Sequence, residues 1–84
     1  MKIKLPPLTK AEKIMGILNY WDPDNRKARG YHAYNYEAET IAQYVRVNSR
    51  TETVIKAIYE AFDCELKENE VKAAAQYILM TIKK

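Results

Sequence analysis

Thr9-Lys10-Ala11-Glu12-Lys13-Ile14-Met15-Gly16-Ile17-Leu18-Asn19-Tyr20-Trp21-Asp22-Pro23 contains both ends of a helix and the face it buries. Thr9 and Glu12 stand at the spacing in which a hydroxyl and a carboxylate cap a first turn reciprocally. Ile14, Ile17, Leu18 and Trp21 follow at i, i+3, i+4 and i+7, which is one apolar helix face. Pro23 bars the residue before it from helical geometry, so the helix covers about 10–21. Gly16 weakens it by roughly 1 kcal/mol relative to alanine.

The same periodicity recurs downstream. After Asn35, Glu37 and Glu39 occupy a first turn, where the positive end of the helix dipole favours acids. Ala38, Ile41, Ala42 and Val45 form the inner stripe of a helix over about 36–46. Ser49-Arg50-Thr51-Glu52 reads as a second capping box. It opens a helix over about 50–62 with Ile55, Ile58, Tyr59 and Phe62 inward, widened by Val54, Ala57 and Ala61. A fourth helix over about 70–82 turns Val71, Ala74, Ala75, Ile78 and Ile82 inward. Only Tyr44-Val45-Arg46-Val47 alternates like a strand, and it is short. The expected fold is all-α: a compact bundle of four short helices, one domain over 1–84. Residues 1–8 are expected to be a loosely ordered arm.

Composition narrows the function. The 84 residues are 48% hydrophobic and 30% charged, as in a soluble globular domain. A chain this short buries about 60–65% of its unfolded surface, leaving little room for a deep catalytic cavity. Cys64 has no second cysteine to pair with, and His32 is the sole histidine, so the usual Cys/His zinc sets are absent. No metal and no cofactor is expected. Met1-Lys2-Ile3-Lys4-Leu5 runs into Pro6-Pro7 without a signal-length apolar stretch. Tyr77-Ile78-Leu79-Met80 falls far short of the ~20 residues that span a bilayer, so a cytoplasmic protein with no membrane partner is expected.

Catalytic motifs are missing. Asp22-Pro23-Asp24 begins like a calcium loop, but Arg26, Lys27 and Ala33 occupy the fifth, sixth and twelfth positions. Neither Gly16 nor Gly30 belongs to a phosphate-cradling loop. His32 has no acid partner or nucleophile beside it in sequence. Cys64 lies between Asp63 and Glu65, which disfavour its thiolate. The chain is therefore not expected to be an enzyme.

The net charge of +3 is unevenly spread: residues 1–36 carry +4 and residues 37–84 carry −1. Three cations cluster in Arg26, Lys27 and Arg29, beside Tyr31, His32, Tyr34 and Tyr36. A connection as long as 23–35 is uncommon in a small domain unless it is used. Tyr and Arg are enriched at protein interface hot spots, so Arg26, Lys27, Arg29, Tyr31, His32 and Tyr34 are the expected contacts for a protein partner. The leading expectation is a non-enzymatic binding module, of the kind a bacterial or phage accessory or inhibitor protein would be, docking through the loop over 24–36. The alternative is a nucleic-acid binder. Residues 40–54 read as a helix-turn-helix presenting Arg46, Arg50, Thr51, Thr53 and Lys56 to a major groove. Against that stand Arg46 where such turns favour glycine, and Glu52 on the same face. Association into a homo-oligomer through the fourth helix is left open by the pattern.

Three short motifs carry a family resemblance: Trp21-Asp22-Pro23 ending the first helix, Tyr36-Glu37 with Glu39 opening the second, and Ile55-Lys56-Ala57-Ile58-Tyr59-Glu60-Ala61-Phe62 closing the third. Over residues 14–62 the chain resembles the YugE-like family of small bacterial helical proteins of unknown function. The resemblance implies an all-α fold, with Trp21 and Phe62 as core anchors and Asp22 ending the first helix by accepting hydrogen bonds from loop amides. It implies no activity. The chain departs from the family in its basic, aromatic loop and in the additional helix within residues 63–84.

Overall fold

The computed structural model describes residues 8–26 and 29–83. The expected N-terminal arm, except Leu8, lies outside the described residues, as does Lys27. Four helices follow one another: α1 (Lys10–Trp21), α2 (Asn35–Tyr44), α3 (Thr51–Ala61) and α4 (Glu68–Ile82), with no strand among the described residues. Each packs on its neighbours in chain order, and α4 returns to α1, closing a four-membered ring around one core. The architecture is the all-α four-helix bundle that the periodicity predicts.

The helix ends show where local chemistry agrees with the pattern. Thr9 Oγ1 accepts from the Glu12 amide at 3.1 Å, and the Thr9 amide donates to Glu12 Oε1 at 2.9 Å. This reciprocal cap holds the Glu12 carboxyl below its ordinary pKa. The second expected capping box does not form. Arg50 occupies the N-cap of α3 without a side-chain bond, and Ser49 Oγ instead accepts from the Arg46 amide at 2.8 Å, tightening the preceding turn. Helices α2 and α3 end a residue or two early. Val45 and Phe62 adopt extended geometry there, yet both side chains are buried. Helix α4 begins two residues earlier than expected, with Glu68 and Glu70 in its first turn at the favourable dipole end.

Ile14, Leu18, Ile41, Val45, Val54, Ile58, Val71 and Ile78 are fully buried. The stripe of α3 is rotated by one residue from the expected one: Val54, Ala57, Ile58 and Ala61 face inward, while Tyr59 is 45% exposed. The two alanines present little bulk on the inward face, and Tyr59 falls more than a quarter-turn from its centre. Met15 and Leu79 are buried in addition to the expected stripes, and Ile17, Trp21 and Ile82 lie half-buried at the core's edge. Trp21 packs edge-on against buried Phe62, ring centroids 6.1 Å apart.

Candidate functional site

The connection between α1 and α2 has two parts of different character. Its base is a polar knot that begins at Asp22, the C-cap of α1. Asp22 sits in left-handed geometry (φ 52°), which aspartate tolerates better than most residues, and donates its amide to the Leu18 carbonyl. Its Oδ1 accepts from the Tyr34 hydroxyl at 2.6 Å and from the Arg26 amide at 2.8 Å. The second bond is a loop-amide contact that fixes the chain just after α1. Tyr34 Oη accepts in turn from the Asp24 amide at 3.1 Å.

Arg26 ties this knot to α2. Its Nε donates to Asp24 Oδ2 and its Nη1 to Glu37 Oε2, both at 2.8 Å, with a further bond to the Ala33 carbonyl at 3.2 Å. The guanidinium lies 5.0 Å from the centroid of the Tyr34 ring, within cation–π range. The Glu37 bond is the main reason that Arg26 is held protonated even more firmly than usual. Burial, reinforced by donation to Asp22, pushes the Tyr34 phenol above its ordinary pKa. Glu37 is itself 7% exposed, and its Oε1 has no hydrogen-bond partner among the described residues.

Two expected contact residues are thereby corrected. Tyr34 is 1% exposed and packs against Phe62 with centroids 5.8 Å apart, so its ring belongs to the core. Arg26 is engaged within the chain by two carboxylates and a carbonyl. An aromatic residue followed three positions later by an acid was the available signal. Spacing alone could not distinguish a ring at the surface from one beneath the loop.

The tip keeps the expected exposure. Arg29, Tyr31 and His32 are exposed, and the Tyr31 and His32 rings meet edge-on at 5.2 Å. Asn19 Nδ2 on α1 donates to the Tyr31 carbonyl at 2.9 Å, and the Ala33 and Asn35 amides close successive turns on the Gly30 and His32 carbonyls. Gly30 takes φ +99°, where a side chain would be strained. Among the described residues Arg29 makes no ion pair.

The residues of the helix-turn-helix reading lie on α3 and on the connection that precedes it. Arg46, Arg50, Thr53 and Lys56 are exposed and Thr51 is half-buried. The connection from α2 to α3 spans residues 45–50, longer than the three or four residues of that motif. Glu52 and Glu60 are exposed on α3 with the cations. Lys10 Nζ donates to the Val45 carbonyl at 2.7 Å, strapping the end of α2 to α1. Cys64 is half-buried near Asp24. Burial, with the Asp24 charge as the next cause, raises its thiol pKa. The flanking acids expected to act on it are not the principal cause. Among the described residues, no group of three or more His, Cys, Asp or Glu side chains could hold a metal ion, and no helix is long and apolar enough to cross a membrane.

No protein-family model, curated protein or solved structure matches the chain.

Proposed function

We propose that this chain is a non-enzymatic binding module that docks on a protein partner through the tip of the α1–α2 loop, in the cytoplasm of a bacterium or as a phage product acting there. Arg29, Tyr31 and His32 make the contact, joined by Lys27. The observation that carries the reading is a loop whose base is locked by Asp22, Tyr34, Arg26 and Glu37 while its tip exposes two rings in edge-on contact and the Arg29 guanidinium, which makes no ion pair among the described residues. A loop fixed before binding loses less entropy on association, and Tyr and Arg are the side chains that gain most from it.

The test compares wild type with the Arg29→Ala/Tyr31→Ala double variant in affinity capture from cytoplasmic extract. Loss of the captured protein with an unchanged melting temperature supports the proposal. A large fall in melting temperature shows instead that the tip is structural. Titration with duplex and single-stranded DNA tests the nucleic-acid alternative, since binding through several phosphates weakens by orders of magnitude between about 50 and 200 mM salt. Absence of binding at low salt ends that alternative.

A further inference from the structure

A second surface, on another side of α1, carries an inference independent of the loop. Helices α1 and α4 leave an apolar groove of about 510 Å³ between them. Gly16, Ile17, Ala73 and Ala74 line it with small or half-buried surface, and Tyr20 and Tyr77 stand at its edges, 94% and 62% exposed. Trp21 Nε1 donates to Glu70 Oε1 at 2.9 Å, which sets the C-terminal end of α1 beside the N-terminal end of α4. The two helices therefore run antiparallel. Lys13 lies at the opposite end of the groove from Glu70, about 12 Å along the helix axis at 1.5 Å per residue. Lys13 has no ion-pair partner among the described residues; the Glu70 side chain, which accepts from Trp21 through Oε1 and lies 3.9 Å from Lys67 Nζ through Oε2, retains 43% exposure.

We infer that this groove is the interface of a two-fold symmetric homodimer. Rotation by a half-turn about an axis through the groove's centre exchanges its ends. Lys13 of each copy then meets Glu70 of the other, and the two Tyr20–Tyr77 pairs interleave over the small residues between them. An isologous interface needs such a self-complementary patch, and a basic end paired with an acidic end supplies it. The area is of the right order. Two tyrosines of about 200 Å² each, at these exposures, contribute about 300 Å² of the ~800 Å² per partner in a standard interface. Ile17, Ala73 and Met80, which is 61% exposed one turn beyond Tyr77, extend the same face.

The test is sedimentation equilibrium from micromolar to millimolar chain concentration. Wild type is expected to pass from 9.8 kDa to twice that mass. A monomer throughout overturns the inference. A Cβ at Gly16 has open space around it and glutamine is a better helix former than glycine, so Gly16→Gln puts bulk into the groove with no steric cost at the Cβ. The variant is expected to stay monomeric with an undiminished melting temperature, and persistence of the dimer overturns the inference. Lys13→Glu and Glu70→Lys are each expected to be monomeric alone, because like charges then face one another. Mixed in equal amounts they should restore a heterodimer, in which both charge pairs are complementary. Failure of the mixture to associate, or undiminished self-association of either variant, overturns the proposed pairing.

Discussion

Replacing Arg26 by methionine tests whether the loop base is structural. The substitution keeps most of the side chain's length while removing its bonds to Asp24, Glu37 and the Ala33 carbonyl. It strips Glu37 Oε2 of its guanidinium, beside an Oε1 that has no partner among the described residues. Breaking a buried ion pair by removing one member costs about 3–5 kcal/mol. Arg26 keeps 18% side-chain exposure, so the lower end, about 3 kcal/mol, is expected. That is a large share of the roughly 4–13 kcal/mol available to a domain of this size. The double variant Arg26→Met/Glu37→Leu removes the stranded charge as well and should recover to within about 1 kcal/mol of wild type. Trp21, the sole tryptophan, packs on Phe62 and reports unfolding in urea by its fluorescence. The reasoning fails if Arg26→Met costs less than about 1 kcal/mol, or if the double variant is no more stable than the single one.

Two further outcomes follow from the core and from the thiol. Phe62→Ala should cost about 3–5 kcal/mol by urea unfolding, and tolerance of the change would mean that Phe62 does not join α1, α3 and the loop. Cys64 should react with iodoacetamide along a pH profile whose midpoint lies above that of a free thiol, because its pKa is raised. Only the thiolate reacts, so the rate climbs as pH rises through the shifted value. A midpoint at or below that of the free thiol contradicts the partial burial of Cys64 beside Asp24.

The four helices were legible because their apolar residues recur at the helical period, and Thr9 and Glu12 signalled the first of them. Finer features depended on tertiary competition. Val54 and Ile55 both fit a stripe on α3, and the face carrying Val54, Ala57, Ile58 and Ala61 is the one that lies inward. Ser49 Oγ bonded the Arg46 amide rather than capping the first turn of α3. Within the candidate site, spacing revealed the loop and its charge but not its division. Tyr31 and Tyr34 stand three residues apart on the same basic segment, one in water and one in the core. What separates them is Asp22, placed by the left-handed turn after α1 to receive the Tyr34 hydroxyl.

The anchoring of this loop at Asp22, Tyr34 and Glu37, rather than along its tip, makes the tip an exchangeable cassette. The side chains of Arg29, Tyr31 and His32 can drift in evolution, or be randomised in a library, with Arg26, Gly30 and the four-helix scaffold left intact. Recognition and folding are thus written in separate letters of a single short segment.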